Sequence, residues 1–229
     1  MLVWMTWTAL ATPPLEVRWV RDSEEYAALT TMIYAVAADA VSQQAASLKR
    51  PERWSVVLDV DETVLDNSTF QLEQIAYGRA FEPAPWNAWT ERRAATPVPG
   101  VGAFLERVRA AGGDVVFLTN RHEVSRQATV DNLAAHALWR DGDLLCLASD
   151  DEANTKRARR AQLRDGAGAC SLPKGGRQVL AYIGDTMHDF PETGEDGDRA
   201  TNFGRRFFLL PNPMYGSWTR AVTRPELLP

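Results

Sequence analysis

Two clusters of acids stand where apolar runs end. Residues 55–58, Ser-Val-Val-Leu, lead into Asp59 and Asp61, and residues 179–183, Val-Leu-Ala-Tyr-Ile, lead into Gly184, Asp185 and then Asp189. Side chains two positions apart on an extended chain share one side, although the chain is expected to turn out of its strand between Asp59 and Asp61. Carboxylates this close repel one another unless a cation or a shared proton intervenes. Ligands in open α/β sheets bind beyond the carboxyl ends of the strands, so these acids lie where chemistry is normally done. Two other segments could contribute. Phe117-Leu118 ends in a hydroxyl, Thr119, followed by Asn120 and Arg121, and a basic stretch from Lys156 to Arg160 follows a third apolar run. Taken singly, each has a plainer explanation. A carboxylate pair can be a solvated strand end, a threonine a helix N-cap, and a basic helix face ordinary surface.

The elements that must position these residues alternate along the chain. Residues 17–48 have a helical pattern, with Ser23-Glu24-Glu25 as an N-terminal signal and Tyr26, Leu29, Ile33, Val36, Ala37 and Ala40 as the inward stripe. Arg50-Pro51-Glu52-Arg53 breaks that helix before the first strand. Residues 69–77 read as helix, and Phe81 to Trp89 sets three aromatics among prolines, which must pack or bind. Helices are expected over 101–111, 122–138 and 153–163, the first ended by Gly112-Gly113, and strands over 114–120, 144–148, 178–184 and 207–210. Residues 165–176 hold four glycines and read as a loop. Such alternation predicts an α/β fold with a doubly wound parallel sheet and right-handed crossovers. There is no internal repeat, P-loop, GxSxG elbow or Rossmann glycine fingerprint.

Asp-Val-Asp-Glu-Thr after an apolar strand resembles the first motif of the haloacid dehalogenase (HAD) superfamily, whose members mostly transfer phosphoryl groups. The longer string Leu58-Asp-Val-Asp-Glu-Thr-Val-Leu-Asp-Asn67 is similar to that of its class C acid phosphatases, bacterial enzymes often made as outer-membrane lipoproteins. Gln127 to Leu133, Ile183 to Phe190 and Leu210-Pro-Asn-Pro-Met-Tyr-Gly-Ser-Trp218 resemble the same family, so the likeness runs from about Val17 to Trp218. It implies an HAD-like core with a small helical cap, built from about 15–50 and 68–98, within a single domain over 15–229. It further implies Asp59 as nucleophile, Asp61 as general acid and base, Thr119 and Asn120 on the phosphoryl group, and Lys156 as the charge that steadies both. The implied cofactor is Mg²⁺, held by Asp59, the Asp61 carbonyl and Asp185, with Asp189 in support. Mg²⁺ takes oxygen ligands in a near-octahedral shell, which suits this donor set. Tyr215 would stack on the leaving group, with Trp86 or Trp89 as the opposite wall. The expected reaction is hydrolysis of small phosphate monoesters, nucleoside monophosphates included, through an aspartyl-phosphate. An acidic optimum fits a protonated Asp61 in the first step. A narrow nucleotidase, a phosphotransferase and a non-catalytic binding protein on the same scaffold are the rivals.

Composition narrows the partners. The 229 residues carry a net charge of −5 and no basic stripe, which argues against a nucleic-acid polymer as partner. Residues 2–11 are apolar but too short to span a bilayer, and no Lys or Arg precedes them. Residues 1–14 therefore read as a vestigial or clipped leader, and the expected extracytoplasmic location rests on family resemblance. A homo-oligomer is left open. Cys146 lies in an apolar run and is expected in the core; a disulfide between Cys146 and Cys170 is left open, since their spacing does not indicate one.

Overall fold

The computed structural model describes residues 12–49, 53–151, 153–192, 195 and 199–220; the expected leader and the Arg50–Glu52 break fall mostly outside them. In chain order the elements are α1 (Leu15–Asp22), α2 (Glu24–Ala46), β1 (Trp54–Leu58), β2 (Leu65–Asp66), α3 (Ser68–Ala76), α4 (Pro83–Glu91), β3 (Thr96–Pro97) and α5 (Val101–Ala110). They continue with β4 (Asp114–His122), α6 (Arg126–Ala135), β5 (Leu144–Ala148), α7 (Lys156–Asp165), β6 (Gln178–Gly184), α8 (Arg199–Asn202) and β7 (Phe207–Leu209). Five strands form one parallel sheet in the order β5-β4-β1-β6-β7. β1 is central, and the chain winds outward from it on one side before returning to build the other. This reversal of order opens a crevice at the carboxyl ends of β1, β4 and β6, the usual ligand site of such sheets.

All five residues of β1 are buried because both faces of the sheet are covered. Val56 and Leu58 face a core that includes Tyr34, Ala37, Phe104 and Leu105 from α2 and α5. Val57 faces the other way, toward Leu163 of α7 with Cys146, Cys170 and Tyr182. Period-two alternation therefore feeds two cores from one strand. α2 meets the start of α5 at Gly100, which adopts φ +94° and where a Cβ would lie 2.8 Å from the Cα of Thr31. Only glycine permits both that conformation and that approach.

The structure corrects or completes five of these readings. The helical stretch from residue 17 divides at Ser23, whose hydroxyl accepts from the Tyr26 amide and caps α2. The inward face of α2 is Tyr26, Thr30, Tyr34, Ala37, Ala38 and Val41, while Val36 is 47% exposed. The helix is apolar on nearly every side, so its sequence offered little contrast. Its orientation satisfies Tyr34, whose hydroxyl donates to the Thr63 carbonyl at 2.7 Å. Residues 122–125 are not α-helix, since β4 runs on to His122 and a 3₁₀ turn precedes α6. The aromatic stretch contains a helix, α4, because Pro83 and Pro85 fall in its first turn, where no amide hydrogen bond is lost. Finally, Cys146 and Cys170 are joined by a disulfide.

That disulfide ties the middle of β5 to the loop after α7 across 24 residues of sequence. A closure of this length restricts the unfolded chain and contributes about 3 kcal/mol. Reductant should lower the urea-unfolding free energy by about that amount. It should leave the doubly substituted Cys146→Ser, Cys170→Ser protein unaffected. Equal sensitivity of both proteins would mean that the stabilisation lies elsewhere.

Candidate active site

Four backbone ends converge in the crevice. Asp59 follows β1, and its amide donates to the Ile183 carbonyl of β6 at 3.0 Å, which draws the two acid-bearing strand ends together. Thr119 lies within β4, Asp185 follows β6, and Lys156 is the first residue of α7. The start of α7 is fixed by Thr155, whose hydroxyl accepts from the Ala158 amide. This cap begins the helix three residues later than the sequence pattern indicates.

The Lys156 ammonium donates to Asp59 Oδ1 at 2.7 Å and to Asp189 Oδ1 at 2.5 Å. Carboxylate oxygens of Asp59, Asp185 and Asp189 all lie within 4.8 Å of one another. Burial raises Asp59 well above the ordinary aspartate range, Lys156 offsets part of this, and Asp189, Asp185 and Asp61 add to it. Burial works against the charge on Lys156, but Asp59 and Asp189 outweigh it and keep the ammonium protonated. Asp185 is pushed up to about 7 by burial and then by Asp189, with the Asn212 hydrogen bond acting the other way. Three carboxylates around a single ammonium are short of positive charge. An oxygen-only cluster with that deficit suits a hard divalent cation.

Each acid is further held. Asp189 Oδ2 accepts from the amide and hydroxyl of Thr186 at 2.8 and 3.0 Å. Asp185 Oδ2 accepts from Asn212 Nδ2 at 2.8 Å, and its Oδ1 lies 3.5 Å from the hydroxyl of Thr63. Asp61 stands apart from the cluster, paired with Arg121 and bonded by Asn67. Thr119 is fully buried and its Oγ accepts from the Arg121 amide at 3.1 Å. The carboxamide oxygen of Asn120 is taken by Arg159 Nη2 at 2.9 Å. Arg159 is itself buried, which lowers it to about 10, the Asp59 charge offsetting this and Arg160 adding to it. It also donates to the carbonyls of Thr119 and Cys146. Arg160 bonds the His188 carbonyl and Glu195, not the acid cluster. The side chain of His188 is exposed.

The two tryptophans differ. Trp89 is 2% exposed and donates through Nε1 to Asn67 Oδ1 at 2.8 Å, so it is a core residue and offers no open wall. Trp86 is half-buried, with its ring 5.5 Å from the Arg121 guanidinium carbon. The amide of Tyr215 lies 3.4 Å from Asn212 Oδ1, which links its backbone to the residue that holds Asp185. Arg121, Asn67, Thr63 and Asn212 are the residues that sequence reasoning passed over. Thr63, Asn67 and Asn212 lie inside the motif strings and Arg121 directly after Thr119 and Asn120, but none has a type that announces chemistry.

The model of the HAD superfamily, subfamily IIIB (acid phosphatase), matches residues 4–218. The chain belongs to this family. Among solved structures it is similar to the class C acid phosphatase of Bacillus anthracis, with a TM-score of 0.76 and 26% identity over 89% of this chain and 84% of that one. The same enzyme with tungstate bound gives a TM-score of 0.74. "Acid phosphatase 1" of Solanum lycopersicum is 28% identical over 163 residues, which are 69% of this chain and 57% of the tomato protein. The chain thus spans little more than half the length of that relative. The resemblance read from the strand-end motifs is borne out, as is the doubly wound α/β core.

Within this acid-phosphatase framework one close approach is decisive. A Cβ on Gly184 would lie 2.3 Å from both Cβ and Oδ2 of Asp189. Gly184→Ala must therefore displace Asp189 and with it the partner of Lys156. Overpacking of this kind costs about 1–3 kcal/mol. A misplaced charge constellation should slow turnover by about 100-fold. Paired urea-unfolding and phosphatase assays would measure both. Full activity in this variant would show that the Asp189–Lys156 contact is dispensable.

Proposed function

We propose that the chain is a Mg²⁺-dependent phosphomonoesterase that works through an aspartyl-phosphate on Asp59. The observation that carries this reading is the Lys156 ammonium set between Asp59 and Asp189, with Asp185 in the same cluster. A carboxylate and a phosphate dianion repel, so a carboxylate nucleophile requires surplus positive charge around it. Lys156 supplies one charge, and Asp59, Asp185 and the Asp61 carbonyl would hold the cation, with Asp189 supporting through water. When bound, Mg²⁺ offsets charge on the transferring oxygens and leaves the carboxylates jointly ionised.

In the first step an Asp59 carboxylate oxygen forms a bond to phosphorus as the bond to the leaving oxygen breaks. Asp61, protonated beforehand, gives its proton to that oxygen. In the second step Asp61, now ionised, takes a proton from water, whose oxygen attacks phosphorus. The Asp59–phosphorus bond breaks, and free phosphate and the starting carboxylate result. Thr119 has a hydroxyl proton to offer the phosphoryl oxygens, and the Asn120 segment lies beside it. Helices α1, α3 and α4 serve as the cap, while α2, which falls within the expected cap segment 15–50, packs with α5 against the sheet. Trp86 and Tyr215 face the leaving group, which favours flat rings such as those of nucleoside monophosphates. Tungstate in the Bacillus anthracis relative is a tetrahedral oxyanion like phosphate, and it supports an oxyanion site here. A disulfide between two buried cysteines supports an oxidising, extracytoplasmic location. No helix among the described residues is long and apolar enough to cross a membrane.

Two outcomes test the reading. Asp59→Asn is nearly isosteric, so it should fold and lose on the order of 10⁴-fold in kcat toward any phosphomonoester. Retention of activity within about tenfold would exclude the covalent route, since a lost nucleophile costs several kcal/mol. Chelation should abolish hydrolysis across a panel of aryl, alkyl and nucleoside phosphates, and added Mg²⁺ should restore it. Undiminished turnover after chelation would point to chemistry without a metal.

A further inference from the structure

Asp61 is held in place by side chains to which the mechanism above gives no role. Arg121 lies in β4 with its side chain 1% exposed, beside the 18% exposed carboxylate of Asp61. Its Nη2 and Nε donate to Asp61 Oδ1 at 2.7 and 3.1 Å, and Nε also lies 3.2 Å from Oδ2. Asn67 Nδ2 adds a third donor to Oδ1 at 2.9 Å. The guanidinium is fixed in turn. Its Nη1 donates to Thr129 Oγ at 3.0 Å, the Thr129 hydroxyl donates to the Ser125 carbonyl at 2.7 Å, and the Trp86 ring lies 5.5 Å away. Asn67 is anchored by Trp89. A planar fork meeting a planar carboxylate sets its orientation as well as its position, which a lysine cannot do.

We propose that Arg121 is the positioning residue for proton transfer, fixing Asp61 so that Oδ2 faces the leaving oxygen. The proposal rests on the assignment of Asp61 as general acid. Oδ1 is occupied by three N–H donors. Oδ2 receives one contact, at 3.2 Å, and is the oxygen left open to the leaving group. When the phosphorus–oxygen bond breaks, the proton of the general acid passes from Oδ2 to the leaving alkoxide, and the electron pair of the O–H bond stays on Oδ2. The resulting carboxylate is the ion that Arg121 and Asn67 are arranged to stabilise.

Leaving groups of different basicity separate this role from a structural one. An alkoxide needs the proton, whereas 2,4-dinitrophenolate departs without it. Because kcat/KM reports only steps through departure of the leaving group, it is the quantity to compare. With Mg²⁺ present, Asp61→Asn should lower kcat/KM for ethyl phosphate by about 10²- to 10⁴-fold and for dinitrophenyl phosphate far less. Arg121→Lys should repeat that pattern, with a loss of about 100-fold on ethyl phosphate and at least about tenfold less on the activated ester. Inhibition by inorganic phosphate should change little. Thr129→Val, which removes the anchor of the guanidinium together with the bond to the Ser125 carbonyl but leaves Arg121 itself in place, should give a weaker effect in the same direction and guards against misfolding of the arginine variant.

Equal losses on both esters, or weakened phosphate inhibition, would make Arg121 a structural or phosphate-binding residue and overturn the proposal alone. A flat response in Asp61→Asn as well would overturn the acid assignment and this proposal with it.

Discussion

Burial of like charge at one point governs this molecule. Asp59, Asp185 and Asp189 crowd a pocket that holds one ammonium, and such a group is unfavourable in a low-dielectric interior unless every partner is fixed. Much of the surrounding architecture supplies that fixation. Thr155 starts α7 so that Lys156 is its first residue, and Gly184 brings β6 close enough for Asp189 to return over it. Thr186 occupies the far oxygen of Asp189, leaving the near one to Lys156. The result is a site whose electrostatic tension is built in and would be relieved by a bound cation.

The parallel sheet makes this affordable because all its carboxyl ends open onto one edge. Lys156 and Asp59 are 97 residues apart in sequence, and Thr63 and Asp185 are 122 apart. Only the strand register, Leu58 beside Ile183 and beside Phe117, brings their neighbours together. Two separate apolar cores on opposite faces hold that register, so slippage of β1 by one residue would exchange their contents. Packing far from the acids thus sets their spacing.

The strands and the acids at their ends were legible because burial on both faces leaves uninterrupted apolar runs, and charge immediately after such a run is conspicuous. β5 and β6 begin and end where the pattern indicated. Helix faces were harder to read. α2 is apolar nearly all round, and its orientation follows from the reach of Tyr34 and from the space at Gly100, both of which depend on distant segments. The basic face of α7 looked solvated, yet Arg159 and Arg160 are buried because backbone carbonyls and Glu195 receive them. Arg121 and Asn67 escaped notice for a related reason. Arginine and asparagine after a motif are common, and only tertiary geometry reveals a fork on a carboxylate. Trp89 carried a real aromatic signal, but its indole N–H found a buried partner and drew it inward. The disulfide links a strand to a loop 24 residues away, a pairing that spacing alone does not specify.

Asn212 has a consequence for how the molecule is made. Its amide secures Asp185, and it lies beyond β7, the last strand of the sheet. Chains emerge N-terminus first, and a domain generally folds as a unit. A nascent chain that has not yet reached residue 212 can therefore hold every acid of the site while Asp185 still lacks its tether. Assembly of the pocket waits for the segment beyond β7, so a chain that stops at β7 carries the acids of the site without their full arrangement.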